Sequence, residues 1–217
     1  MNVLSQHMNA VVGIIGTLAG TIIGSLLTYC LTKKLERQKL RAYSRLVAYS
    51  LISLISELAN IKKQLEHRRE ILDIGKGRLS HEDSMQVTAT IDYPDLSVDV
   101  SSFGAFAFTT ANKNIAEYYI KICKANFLYR KSLNSICKFI NESKAYIFQQ
   151  HPNSPLSENI ETFITLFNRN YHVVINELEK TIVYIEEVLE DWQQNVLQNT
   201  FKTKAIKYDR HHLEKIT

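Results

Sequence analysis

The sequence predicts an all-α protein, an N-terminal transmembrane helix followed by a cytoplasmic bundle of three to four long helices. Three observations carry that prediction. The 217 residues include only seven Gly and three Pro, and four of the glycines fall within the first 24 residues, so turn-formers are too few for a many-stranded sandwich or barrel. Met1 to Thr32 contains no Asp, Glu, Lys or Arg. Beyond that stretch, apolar residues recur at steps of three and four over long distances, which is the helical repeat. The length suits one domain with an appendage, and its core needs no disulfide or metal.

The reading divides the chain into residues 1–10, a short extracytoplasmic N-terminus; 11–32, the transmembrane helix; 33–45, a basic juxtamembrane neck; 46–200, the helical bundle with a loop over 78–104; and 201–217, a basic C-terminal tail. At 1.5 Å per residue the apolar run Val11–Leu31 reaches roughly 30 Å, the thickness of a bilayer core. A cleaved signal would carry a basic flank and a small-residue cleavage site. Here the flank offers only His7, and Thr28-Tyr29-Cys30 places Tyr where a lipoprotein signal needs a small side chain. The segment therefore reads as a retained span.

Charge sets its direction. Lys33, Lys34, Arg37, Lys39, Arg41 and Arg45 are opposed only by Glu36, a net +5 that outweighs the +4 of the whole chain. The positive-inside rule keeps this neck in the cytoplasm and sends the N-terminus across the inner membrane. The cluster reads first as a topology signal and an anionic-lipid contact, and second as a nucleic-acid contact.

Within the span the residues segregate by type at about 100° per residue. Gly13, Gly16, Gly20 and Gly24 share one stripe, and Thr17, Thr21, Ser25, Thr28 and Thr32 form the next. Val11, Val12, Ile15, Leu18, Ala19, Ile22, Ile23 and Leu26 fill the opposite side. A simple anchor needs no such sorting. Gly16, Gly20 and Gly24 would let a second backbone approach closely, and the hydroxyl stripe would then face a bundle interior, where it lines a pore. The bilayer and other copies of the chain are thus the expected partners, with a cytoplasmic protein or RNA–protein complex as a further one. No small-molecule substrate is evident.

No Gly or Pro lies between Gly24 and Gly75, so the neck should continue the span as helix. Leu40, Val47, Leu51, Leu54, Leu58, Ile61, Leu65 and Leu72 make a heptad seam that skips Ser44 and Arg68, and Gly75 and Gly77 end the helix. Leu79–Phe103 breaks the pattern and reads as a long loop, with a short strand around Met85–Ile91 or an extra helical turn. A second helix is expected from about Ala107 to Gln149, with Ile115, Tyr119, Ile122, Leu133, Ile136 and Ile140 on its seam and Tyr118, Phe127, Phe139 and Phe148 broadening it. Ser154 and Pro155 are placed to start a third helix. Its seam runs through Ile160, Ile164, Phe167, Tyr171, Val174, Leu178, Ile185, Val188 and Trp192, with Thr181 in one slot. The expected arrangement is three long antiparallel helices, and the seams could close within one chain or between chains.

Candidate chemistry is sparse. Cys30, Cys123 and Cys137 give an odd count without CxxC or Cys/His ligand spacing, so free thiols are expected and no zinc site. His81-Glu82-Asp83 sits in the expected loop and His211-His212 in the basic tail, neither with a further ligand pair. The sequence contains no phosphate-binding glycine loop or nucleophile elbow. The densest polar run is Asn168-Arg169-Asn170-Tyr171-His172. Arg169 and His172 on one helix could cleave RNA, His as general acid–base and Arg stabilising the phosphorane; the bland alternative is a surface pair, with Asn176 beside His172. This run resembles the Arg/His motif of HEPN ribonucleases, although that family separates the two by four to six residues and here only Asn170 and Tyr171 intervene.

The glycine-striped span, basic neck and helical domain together resemble the small membrane effectors of prokaryotic antiviral defence, nearest the accessory membrane proteins of type VI-B CRISPR systems. That likeness implies a HEPN-like helical domain on a membrane helix, assembly into ring-shaped pores and loss of membrane integrity during infection. The expected function is a non-enzymatic, homo-oligomeric, pore-forming or membrane-perturbing effector without cofactor. The alternatives are a membrane-tethered ribonuclease using Arg169, Asn170 and His172, and an anchored scaffold that binds a partner through Leu79–Phe103.

Overall fold

The computed structural model describes residues 3–75, 81–91, 93–99, 113–149 and 156–206, and among these every regular element is helical. They are α1 (Val3–Gly75), α2 (His81–Thr88), α3 (Lys113–Gln149), α4 (Leu156–Asp191) and a π-helix (Trp192–Thr200) that continues α4. The chain forms two compact units, Met1–Tyr43 and Ser44–Thr217.

The first unit is the leading part of α1. Helix begins at Val3, so it includes most of the stretch expected to precede the span. From Val11 to Lys39 every side chain is exposed, as a helix built for lipid or for other copies requires. The neck is helical, as the absence of Gly and Pro implies.

The second unit is a bundle. Its α1 seam is the one legible in sequence: Val47, Leu51, Leu54, Leu58, Ile61, Leu65 and Leu72 are all buried. The two skipped slots are buried too, and each carries a polar bond. The indole Nε1 of Trp192 donates to Ser44 O at 2.9 Å. Arg68 Nη1 donates to Val87 O at 3.1 Å and to Ala89 O at 2.8 Å, closing the C-terminal end of α2. Burial holds the Arg68 guanidinium below its usual pKa. Arg68→Met preserves the aliphatic stem but leaves two carbonyls without this donor; the expected loss is about 1–3 kcal/mol in denaturant unfolding of the full chain, with α2 the first element to lose amide-exchange protection.

The helix directions differ from the expected antiparallel trio. Lys62 pairs with Glu179 at 2.7 Å, and Arg69 lies 4.9 Å from the ring centre of Tyr171, so α1 and α4 run antiparallel. Lys121–Asp191 at 2.7 Å, Ser132–Thr181 at 3.0 Å and the Phe139–Phe167 ring pair at 5.0 Å make α3 antiparallel to α4 as well. Hence α1 and α3 are parallel. A parallel pair needs a return path, and the long connection supplies it. Asn126 holds Val98 through both backbone groups, accepting from N at 3.0 Å and donating to O at 2.9 Å. Tyr129 donates to Pro94 O at 3.2 Å, and Tyr93 bonds Cys137. Residues 93–98 therefore run back along α3 as an extended strap, with Ile91 and Val98 buried beneath it.

Other boundaries also shift. His81 opens α2 instead of lying in a loop, and Glu82 and Asp83 in its first turn complement the helix dipole. Met85–Thr88 are helical, so the alternation there makes no strand. The described part of α3 begins at Lys113 and that of α4 at Leu156, so the expected starts at Ala107 and at Ser154 and Pro155, like the expected stop at Gly77, lie outside the described residues. Phe127, expected to broaden the α3 core, is exposed, and Ala125, Tyr129 and Ser132 fill that face. The side chains of Ile115, Phe148 and Ile160 lie outside the described set.

Beyond the expected seam, which ends at Trp192, the helix continues to Thr200 in π form. Val196 and Leu197 follow Trp192 by four and five residues, and Phe201 follows them by five and four; the π-helix turns Trp192, Val196 and Leu197 inward and delivers Phe201, its C-cap, to the same core. Lys202 then takes a left-handed conformation (φ 52°), and Thr203 N donates to Leu197 O at 2.9 Å. The start of the expected solvated tail is thus tied to the bundle through Phe201 and Thr203, while residues 207–217, His211-His212 among them, lie outside the described residues.

Candidate membrane span and basic neck

The first unit contains the residues that the sequence singles out for membrane function, except Arg45, which falls in the second. A Cβ added at Gly13, Gly16, Gly20 or Gly24 would meet nothing within 4 Å beyond its own turn of helix, so among the described residues nothing packs on the glycine face. The large side chains of this unit, from Val11 through Leu35, are more than half exposed. The segment satisfies length and composition criteria for a membrane span, and none of its apolar window is buried.

The hydroxyl stripe behaves differently from the sequence argument. Thr17 donates to Gly13 O, Thr21 to Thr17 O, Ser25 to Thr21 O, Thr28 to Gly24 O and Thr32 to Thr28 O, all between 2.7 and 2.9 Å. Each donor is satisfied one turn back in its own helix, the local bond open to Ser and Thr. The stripe therefore needs no neighbouring helix to satisfy its protons. What it presents outward is methyl groups and hydroxyl oxygens with acceptor capacity.

At the end of the span, Lys33 Nζ reaches back to Tyr29, 3.5 Å from its hydroxyl and 5.5 Å from its ring centre. An aromatic ring with a cation one turn beyond suits the headgroup level of a bilayer. The sequence reading used Tyr29 only to reject a cleavage site. The i,i+4 Tyr–Lys spacing at the span's edge was the available signal.

Lys33, Lys34, Arg37, Lys39, Arg41 and Arg45 are all exposed. Among the described residues none of them is within ion-pair distance of a carboxylate, whereas elsewhere Lys62, Arg69, Lys121, Arg130, Lys131 and Lys138 all are. Lys33, Lys34, Arg37 and Arg41 line one shallow groove with Cys30 and Gln38. Lys39 falls on the opposite side at about 100° per residue.

The Arg169/His172 run lies on α4. Arg169 and His172 are exposed and Asn170 is half-buried, while Tyr171 is buried between Phe167, at 5.8 Å between ring centres, and the Arg69 guanidinium. Burial raises the Tyr171 phenol above its usual pKa. His172 meets the Tyr171 ring edge-on at 5.5 Å. Arg169 and His172 thus lie on the surface beside a core tyrosine. Cys30, Cys123 and Cys137 are free thiols, with Cys137 bonded to Tyr93, whose phenol that contact pushes up to about 12.

No family model, curated protein or solved structure matches the chain significantly.

Proposed function

We propose that the protein is a single-pass inner-membrane protein that self-associates through its span and perturbs the membrane, with its N-terminus outside and the bundle in the cytoplasm. The observation that carries this reading is the open glycine face: four glycines in register on an exposed apolar helix, with no packing partner among the described residues. In lipid, close approach at small residues supplies the dispersion contacts that drive helix association. Association falls to the span because the α1, α3 and α4 seams are already closed within the chain, which removes the heptad surface that copies would otherwise share. With the glycine faces paired, Thr17, Thr21, Ser25, Thr28 and Thr32 flank the contact and offer oxygens to a water path through the assembly. A role in antiviral defence is the setting that the architectural resemblance implies, and membrane perturbation is its chemistry.

At the residues of the ribonuclease alternative, Arg169 and His172 are exposed beside the buried Tyr171, which favours a surface role for them. Against the scaffold alternative stands that, within its loop, residues 93–98 are bonded to α3. Replacing residues 11–31 with poly-leucine tests the proposal. The chain should still insert, but its oligomer in detergent and any loss of membrane potential on expression should both disappear. A wild-type monomer, or a poly-leucine chain with unchanged oligomer and depolarisation, would overturn it.

A further inference from the structure

We propose that the exposed face formed by Lys33, Lys34, Arg37 and Arg41 binds the phosphate headgroups of anionic phospholipids, and that this lipid is the counter-charge that lets the necks of adjacent copies lie together. The inference rests on the membrane-spanning reading above and adds a ligand and a condition for assembly. Four observations lead to it. The four cations stand on one side of the helix, without a carboxylate partner among the described residues. Tyr29 and Lys33 set the depth of this face at the headgroups, where phosphate is present at high local concentration. The groove is a shallow side of one helix, without enclosing groups to select a free anion from solution, and the only aromatic residue from Lys33 to Arg45 is the half-buried Tyr43, so there is no base-stacking platform for RNA. Two arginines supply planar donor forks for phosphate oxygens, and two lysines supply point charges.

The fourth observation is position. Lys34 follows Gly16 by eighteen residues, five turns of about 3.6, so the cationic face begins in the angular sector of the glycine face. Copies that pair on glycine bring like charges together at the neck. Phosphates held along that face remove the repulsion, so assembly depends on anionic lipid.

Full-length protein is reconstituted in equal phosphatidylcholine and phosphatidylglycerol and extracted in mild detergent, and the lipid that co-purifies is quantified. Wild type should be enriched in phosphatidylglycerol. Arg37→Gln and Arg41→Gln should each lower that preference about fivefold, the worth of one cation at an anionic surface. Lys39→Gln removes the same charge from the opposite side and should leave the preference close to wild type. Oligomer size should fall when wild type is moved into pure phosphatidylcholine. Gly20→Leu should lose the oligomer in either lipid yet keep its phosphatidylglycerol, so a failed glycine contact and a failed lipid site give different results. The proposal is overturned by wild type without phosphatidylglycerol enrichment, by Lys39→Gln as damaging as Arg37→Gln, by an oligomer of equal size in both lipids, or by Arg37-dependent retention of inorganic phosphate or single-stranded RNA in pure phosphatidylcholine.

Discussion

Gly20→Leu is expected to leave the chain folded and inserted while reducing self-association by one to three orders of magnitude. The monomer side follows from open space. A Cβ at Gly20 meets no described atom within 4 Å beyond its own turn of helix, and exchanging an interior helical glycine for a good helix former removes a cost of about 0.8–1 kcal/mol. The substitution should therefore stabilise the isolated helix slightly. The oligomer side follows from contact distance. Dispersion is worth about 0.1–0.2 kcal/mol per carbon pair and falls away steeply with separation. A leucine that holds two helices apart forfeits on the order of twenty such pairs, roughly 2–4 kcal/mol, which is about 30- to 1,000-fold in an association constant. Gly16→Leu, one turn away on the same face, should behave alike. Val12→Leu on the lipid side should be neutral. Cross-linking at graded protein-to-lipid ratios reads the shift directly, and a Gly20→Leu oligomer as tight as wild type would rule out the glycine contact.

The elements that sequence made legible were those set by repeat. Val47 to Leu72 occupies the buried side of α1 at the expected spacing because one periodic pattern can point only one way into a core. The same pattern was blind at Ser44 and Arg68. Their polarity reads as a break in the seam, yet both are buried: Arg68 bonds the end of α2 through its side chain, and at Ser44 it is the backbone oxygen that accepts from Trp192. Helix direction was illegible for a related reason. Seams specify which residues face inward but not which end leads, and here the decision lies in the strap contacts of Asn126 and Tyr129, side chains without periodic signature. The π-helix after Asp191 was hidden because four- and five-residue spacings look like an α pattern losing phase. In the candidate site, the segment is helical throughout, so the wheel's sorting of glycines and hydroxyls describes two sides of α1. It could not show that Thr17 through Thr32 spend their donors on their own backbone, since that depends on rotamer and not on position.

Trp192→Ala should have the largest effect on the bundle, about 3–5 kcal/mol, enough to unfold a domain at the lower end of ordinary stability. The indole is fully buried, meets Tyr118 edge-on at 5.6 Å between ring centres, and donates to Ser44 O. The neighbouring polar set leans on the same corner: Asn195 Nδ2 donates to the Tyr118 hydroxyl at 2.9 Å, and Lys121, held above its usual pKa chiefly by its bond to Asp191, closes the α3–α4 side. Truncation to alanine removes the ring that α1, α3 and the π-helix share, and the polar groups around it cannot collapse into the space. Trp192→Phe separates packing from hydrogen bonding. It retains most of the apolar contact and loses the Ser44 bond, for an expected cost nearer 1–2 kcal/mol, because Ser44 O lies within α1 and keeps its helical acceptor role. Trp192 is the only tryptophan, so wild-type fluorescence reports this site alone and should shift to the red on unfolding; the variants are followed by circular dichroism. Because the span lies in the other unit, Trp192→Ala should melt the bundle without abolishing cross-linking through the glycine face. A Trp192→Ala chain as stable as wild type would mean that the junction of α1, α3 and the π-helix is not the keystone of the core that its burial implies.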